Sequence, residues 1–465
     1  MRNNGSYYII VFGLFLGICA PSLWSDGMFM DGLYYASIAR NLADGLGSFW
    51  HLHFTDISYP IFYEHPPLAM GIQSVFFYVF GSSIYVERFY SFLTFIVTAY
   101  IIHIIWGKIN RKELKYLSWL PLLFWVIIPL NSWACSNNIL ENTMNIFVSL
   151  SVLFSIKSLK SSKLKNTFLA GGFLSLAFLS KGFVGLFPLS IFFWHLIVFK
   201  KMTIKEMFSR SAQLFLFAIA PFILLYLFYP TAIDSIGNYI YKQVYGSIQN
   251  ISSLERYTPV GSRFFIIKKL ILELLPALVL CLIIFYFSFK KKFKVDLQEK
   301  KWILFLFLLG LSGVLPIMVS MKQSGFYMLT TFPFFSIAFG ILVAPFTASL
   351  IEKVSKKIYL LSVIILIVSL LLSVKQIDVI GRNHELVEDV HLILKVIPEN
   401  STISIDENMK NNHSLRAYFA RYGNVSLNKK EKLNYHLSYR ENKKDQENYE
   451  ESNLNTYMIV LYSKQ

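Results

Sequence analysis

The stretch Leu270-Ile-Leu-Glu-Leu-Leu-Pro-Ala-Leu-Val-Leu-Cys-Leu-Ile-Ile-Phe-Tyr-Phe-Ser-Phe289 runs directly into Lys290-Lys-Lys-Phe-Lys294. About 20 mostly apolar residues are what a helix needs to cross a bilayer, and a lysine cluster behind such a run marks a cytoplasmic flank. Comparable apolar runs lie near 7–24, 88–106, 116–131, 139–156, 166–180, 183–199, 211–230, 302–320, 325–346 and 358–375, which with 267–289 makes eleven candidate spans. The remaining composition agrees. Of 465 residues 55% are hydrophobic and 15% charged, where a soluble globular chain carries roughly 25% charged residues. Cys19, Cys135 and Cys281 lie inside apolar runs and form neither a metal spacing nor a disulfide framework.

The net charge of +16 would suggest a nucleic-acid partner in a soluble chain, but its distribution points elsewhere. With Arg2, the clusters at 107–115, 157–165, 200–210, 290–301 and 347–357 hold half of the 44 basic residues. Placing them all on the cytoplasmic side requires the short apolar segment 66–80 not to cross, so it reads as a juxtamembrane or re-entrant helix. The N-terminus is then cytoplasmic and the C-terminus outside, and no nucleic-acid partner is expected. A signal peptide at 7–24 is a weaker reading, because no small-residue cleavage site is evident and Trp24 suits an interfacial anchor.

The segment 25–87 is the external counterpart, with one basic residue, Arg40, and six acidic ones; a loop this long is usually functional. A second external loop is expected at 231–266. Beyond Lys375 the composition becomes that of a soluble domain, with 12 basic and 13 acidic residues over 376–465. Helical periodicity at 384–397 and 414–422 and strand-like alternation at Ser401–Asp406 and Tyr457–Tyr462 predict a small α/β domain, with 428–451 as a surface loop. The fold class is therefore an α-helical polytopic membrane domain over 1–375 followed by an extracytoplasmic α/β domain over 376–465.

Ten basic residues are left outside the cytoplasmic clusters and the tail: Arg40, Arg88, Lys181, Lys242, Arg256, Arg263, Lys268, Lys269, Lys322 and Lys375. Some are snorkelling anchors. Lys181 separates two apolar runs with almost no loop around it, where an ionisable residue is functional by default; the plainer reading is a lysine that ends a helix. Lys322 is a cation at a tight external turn followed by the hydroxyl of Tyr327, a pattern suited to a phosphate; an interfacial anchor is the alternative. Asp31 sits near the start of a helix read as amphipathic from Leu33, where a carboxylate is favoured as a cap. Glu64 precedes a proline-initiated helix at the other end of the loop, so the two acids can meet in one cleft. His51, His53 and His65 with these acids carry no recognised ligand spacing, and a divalent ion at Glu64 and His65 is the weaker alternative. Glu141 and Asn142 read as helix–helix glue.

The order Asp31-Gly-Leu-Tyr-Tyr-Ala-Ser-Ile-Ala-Arg40, Glu64-His-Pro-Pro-Leu68, Lys181-Gly182 and Lys322 to Pro333 resembles the GT-C class of membrane glycosyltransferases. The nearest kin are the dolichyl-phosphate-mannose protein mannosyltransferases and the bacterial lipid A aminoarabinose transferases, glycosyltransferase family 39. The resemblance implies about 11–12 transmembrane helices, a polyprenyl-phosphate sugar donor, a lipid, protein or glycan acceptor, and a bacterial inner membrane. It also implies Asp31 as the catalytic carboxylate, Lys181 and Lys322 on a substrate phosphate, Tyr327 in the same pocket, and Arg40 closing the Ile-Ala-Arg helix. Two departures stand out. Asp31-Gly32 replaces the family's Asp-Glu, and Glu64-His65-Pro66-Pro67 replaces Glu-Lys-Pro-Pro, which exchanges a permanent cation for a group that titrates near neutrality. In the mechanism these residues suggest, Asp31 is general base on an acceptor hydroxyl, while Lys181, Lys322 and Arg256 or Arg263 neutralise the departing phosphate. A lipid-linked-glycan flippase or transporter, or a noncatalytic scaffold, is the competing class.

Overall fold

The computed structural model describes residues 5–110, 112–161, 163–246, 261–288, 295–351, 356–429, 433–442 and 448–464. Arg256, Lys353 and part of the 290–301 lysine cluster lie outside these residues. The chain opens with α1 (Gly5–Trp24), α2 (Met30–Ala43), α3 (Leu68–Phe80) and α4 (Tyr85–Ile109). It continues with α5 (Trp119–Val126), α6 (Pro129–Ser136), α7 (Leu140–Ser161), α8 (Leu164–Lys181) and α9 (Ile191–Phe199). Then follow α10 (Ile204–Phe228), α11 (Pro230–Tyr239), α12 (Phe265–Ser288), α13 (Leu297–Val314), α14 (Phe332–Ile351) and α15 (Lys356–Val374).

Seven helical segments among the described residues are long and apolar enough to cross a membrane: 5–24, 85–109, 204–228, 265–288, 297–319, 325–351 and 357–374. The expected span at 116–131 is a broken pair, bent by 78° between α5 and α6. Pro129 explains the break, because it disfavours helical geometry at the residue before it, and Ile128 is extended. The runs at 139–156, 166–180 and 183–199 are helical but fall short of that test. α7 and the helix behind it carry serines and asparagines inward, with Asn142, Asn145, Ser149, Ser151 and Ser155 all buried, as expected for helices that pack on each other rather than on lipid. α1 and α15 are neighbours because Gly13 and Gly17 leave room; a Cβ at Gly17 would stand 2.7 Å from Ser369 Oγ. α3 has 13 residues, about 20 Å of helix, too short for a hydrocarbon core of about 30 Å.

The C-terminal region adds α16 (His384–Leu394) and α17 (His413–Gly423) to β1 (Thr402–Ile405), β2 (Ser426–Asn428), β3 (Tyr435–Tyr439), β4 (Tyr449–Glu451) and β5 (Ile459–Lys464). The sheet order is β2-β1-β3-β5-β4, with β1 parallel to both its neighbours and β5 antiparallel to both of its own. The surface loop expected over 428–451 is thus corrected, since it contains β3 and β4. The Lys/Glu/Asn-rich flanks hide the short alternation around Leu437, which becomes a strand through its partners, Ile405 on one side and Leu461 on the other.

α2 also differs from the amphipathic helix expected, since every residue from Gly32 to Asn41 is buried. It lies between the rest of the 25–87 segment and α17, and its apolar residues share one core with Leu386, Val390, Leu415 and Tyr418. Polar contacts fasten this sandwich. Arg421 reaches from α17 to both oxygens of Glu87 at 3.0 and 2.8 Å and to the carbonyls of Ser82 and Ser83. Arg40 runs the other way, donating to the carbonyls of Arg421 and Ala420 and to Asn424 Oδ1. Asp26 accepts from Tyr422 and pairs with His391 Nε2 at 2.7 Å, and these contacts draw its carboxyl down to about 2 despite burial that opposes the shift.

Removing one partner of a buried ion pair strands the other. Glu87→Gln is expected to cost about 3–5 kcal/mol and to open the C-terminal region to limited proteolysis. Arg88 Nη1 also lies 3.8 Å from Glu87, so Glu87→Leu alone strands two guanidinium groups; adding Arg421→Met removes one of them and is expected to cost less than Glu87→Leu alone, which a double-mutant cycle of unfolding midpoints checks.

Candidate active site

Lys181 is the last residue of α8, and the reason the helix stops there is steric. Gly182 has φ +101°, and a Cβ on it would stand 1.8 Å from the Tyr239 hydroxyl, which itself donates to the Lys181 carbonyl at 3.3 Å. The lysine is held with 6% of its surface exposed. Its Nζ lies 3.3 Å from Glu141 Oε1 and 3.4 Å from the Tyr35 hydroxyl, and the rings of Tyr35, Phe326 and Tyr327 face it at 5.4, 5.7 and 5.9 Å. Those aromatic faces are a favourable surround for a partly desolvated cation.

Lys322 occupies the turn before the 325–331 helical turn that leads into α14, and donates to Gln243 Oε1 at 3.1 Å. Its neighbour Gln323, buried, fixes that turn by donating to the carbonyls of Arg263 and Ser320 and accepting from the Ile266 N–H. His65, Lys181, Gln243, Lys322 and Tyr327 line one cavity of about 510 Å³. Beside it lies a second, almost wholly apolar cavity of about 330 Å³ around Phe178, Phe222 and Ile236. Phe183 and Leu186 belong to both walls.

The acids gather next to the cations. Asp31 is in the first turn of α2, and its charge acts on both Tyr35 and Glu64. Burial raises Glu64 above the usual carboxylate range and Asp31 adds to that, while Lys322 and Lys242 pull it back. Burial, together with the charges of Lys181 and Lys322, holds His65 well below the ordinary imidazole value. Asp31, Glu64, His65, Lys181, Lys322 and Tyr327 are thus brought to one place. Arg40 is not, being spent on α17. Arg263 is near the rim, but its Nη1 donates to the carbonyls of Met318 and Val319 at 3.4 and 2.5 Å. Among the described residues no group of three or more His, Cys, Asp or Glu side chains is placed to hold a metal; His53 instead contacts the Pro60 carbonyl and Asp56.

Several residues of the site were missed or given another role by the sequence reading. Glu141, read as helix glue, is the counter-charge of Lys181. Asn137 and Asn138 bracket Asp31, because Asn137 Oδ1 accepts from the Phe29 N–H at 2.8 Å and Asn138 Nδ2 donates to the Gly32 carbonyl at 3.0 Å. Gln73 of α3 then donates to Asn138 Oδ1 at 2.6 Å. Gly32 itself is explained by this grip, since a Cβ there would meet the Asn137 carbonyl oxygen at 2.1 Å. Gly32→Ala is expected to destabilise by about 1–3 kcal/mol through overpacking. Gly172→Ala, at a helical position with nothing within 4 Å, is expected to be neutral or slightly stabilising; thermal unfolding midpoints compare the two.

Comparison with known proteins follows the same lines. The family model of dolichyl-phosphate-mannose-protein mannosyltransferases matches residues 64–225, a segment that includes Glu64, His65, Glu141 and Lys181. No curated protein matches the sequence. Among solved structures, ArnT from Cupriavidus metallidurans bound to undecaprenyl phosphate superposes with a TM-score of 0.62 at 13% identity, covering 100% of this chain and 98% of its own. The apo state of the same protein gives 0.58 at 14%, covering 88% and 82%. The archaeal oligosaccharyltransferase AglB from Archaeoglobus fulgidus, in complex with an inhibitory peptide and a dolichol-phosphate, gives 0.52 at 11%, covering 89% of this chain and 63% of its own. The family match over residues 64–225, in the first half of the chain, and the fold shared with ArnT along its whole length make this multi-pass membrane protein similar to the dolichyl-phosphate-mannose-protein mannosyltransferases and to ArnT.

Proposed function

We propose that the protein transfers a sugar from a polyprenyl-phosphate donor to a lipid, protein or glycan acceptor on the extracytoplasmic side of a bacterial inner membrane. The observation that carries this reading is the pair Lys181 and Lys322 in one cavity that shares the Phe183 and Leu186 wall with an apolar cavity. A phosphate with a long hydrocarbon tail needs these two environments side by side, cations for the head and a dry apolar wall for the chain. The bound undecaprenyl phosphate of ArnT and dolichol-phosphate of AglB favour the same class of donor here. The basic clusters at 107–115, 157–165 and 200–210 put the opposite ends of the helices in the cytoplasm, with 1–375 as the membrane domain and 376–465 as the extracytoplasmic one.

In the proposed reaction the acceptor oxygen attacks the anomeric carbon as the bond from that carbon to the phosphate oxygen breaks. The electron pair stays on the phosphate, where Lys181 and Lys322 receive the growing charge, and Asp31 takes the acceptor proton. The Asn137–Asn138 grip and the Gln73 contact hold the turn that bears Asp31, which supplies the fixed geometry such a base requires. Tyr35 links Asp31 and Lys181, since the charge of Asp31 acts on it and its hydroxyl accepts from Lys181 Nζ.

Asp31→Asn is expected to lower transfer by about 10²–10⁴-fold while leaving folding and lipid-phosphate binding in place. Purified protein in detergent, supplied with a polyprenyl-phosphate sugar and no ATP or ion gradient, is the assay. Translocation of the intact donor in proteoliposomes without its consumption would instead establish the flippase reading. Lys181→Met is expected to weaken undecaprenyl phosphate binding at least tenfold, as about 1.4 kcal/mol of lost charge-assisted contact requires.

A further inference from the structure

His65 lines the cavity together with Lys181 and Lys322, and it differs from the two lysines in that its ring can gain or lose a proton near neutrality. Its ring lies edge-on to Tyr35 at 5.6 Å and tilted to Phe62 at 6.3 Å. Its Nδ1 is buried and has no hydrogen-bond partner among the described residues, which for a buried polar atom is a cost awaiting an explanation. The other charged or titratable groups around it are Tyr239, Tyr327, the adjacent Glu64, and, behind Tyr35 and Lys181, Asp31 and Glu141; Lys242 stands over the nearby Tyr63. Burial, with the charges of Lys181 and Lys322 added to it, holds the imidazole well below its ordinary value.

We propose that His65 takes up a proton when a phosphate monoester dianion occupies the cavity between Lys181 and Lys322, and donates an N–H to one of its oxygens. This rests on the donor reading above and deepens it. A polyprenyl-phosphate sugar is a phosphodiester with one negative charge. When its bond to the sugar breaks, the electron pair remains on the phosphate oxygen and the lipid product carries a second charge. Lys181 and Lys322 meet both states with the same charge. His65 responds to the second one, because the added anion favours the imidazolium; the proton comes from solvent and returns to it as the lipid phosphate leaves. An interaction that strengthens as charge develops on the leaving group contributes to the rate as well as to affinity, so His65 is the residue that tells product from donor.

The test is calorimetric binding of undecaprenyl phosphate to the full-length protein in detergent at about pH 7.5, in two buffers of different ionisation enthalpy. At that pH the free monoester, with a second pKa of about 6, is already mostly dianionic and contributes little proton traffic. Net proton uptake is expected for the wild type, with affinity falling by up to about tenfold per pH unit above neutrality, the limit for one linked proton. His65→Gln is expected to abolish the uptake, flatten the pH dependence and weaken binding near pH 7 by about tenfold, whereas His53→Gln in the same loop retains the uptake. Binding by the wild type without proton uptake, or uptake that survives in His65→Gln, would overturn the proposal. Failure of the wild type to bind undecaprenyl phosphate at all would overturn the donor reading instead.

Discussion

The guanidinium of Arg421, placed on both oxygens of Glu87, is the contact on which the seating of the C-terminal region depends. It joins the start of a membrane helix to a helix of the C-terminal region and so decides where that region sits. A buried pair of this kind contributes little net stability, because desolvation of both charges offsets their attraction. Its effect is on geometry: once α17 is set against α4, α2 is enclosed on every side. The free energy comes from the apolar core that α2 shares with α16, α17 and the sheet. Arg40, donating back from α2 to α17, completes the same joint.

Enclosing α2 has a chemical consequence. A helix lying on a surface frays and rotates, whereas one buried around its circumference presents its first turn in a fixed direction. Asp31 sits on that turn. The two asparagines that follow α6 bind the backbone on either side of it, and Gly32 is the only residue type that fits against the Asn137 carbonyl. The Asp-Gly pair is therefore a packing requirement of this chain.

The cavity is organised by opposite charges at short range. Lys181 stands at a helix C-terminus, where a cation is favoured by the backbone dipole, and Glu141 supplies its counter-charge from the facing helix at 3.3 Å. Glu64 and His65, adjacent in sequence, are driven apart in opposite senses, the acid upward by burial and the imidazole downward by burial and two lysines. Such divergence within one cleft is typical of groups arranged for chemistry.

Much of this was legible in the order of residues. The bilayer requires long apolar runs and the translocation of loops sorts their basic residues, so both constraints write themselves linearly into the chain; the long membrane helices follow from them, whereas the break within 116–131 does not. Lys181 and Lys322 stood out because an isolated cation beside an apolar run has few structural uses. Arg40 stood out for the same reason, yet it serves α17, a partner nearly 400 positions away that no local pattern announces. Asn137, Asn138 and Gln73 lay unmarked, and Glu141 was marked only as helix glue, for the converse reason: each is a polar residue whose meaning is its contact. The strand at Tyr435–Tyr439 was hidden by its charged flanks until Ile405 and Leu461 paired with it. What the sequence alone determined, then, was the membrane class and a short list of cations and acids set apart from the basic clusters, since solvent preference acts on each residue separately. Which of those charges share a cavity, and which are consumed in holding α2 in place, was decided only by the tertiary structure, because Coulomb and hydrogen-bond forces act over a few ångströms and depend on neighbours that the chain brings together from distant positions.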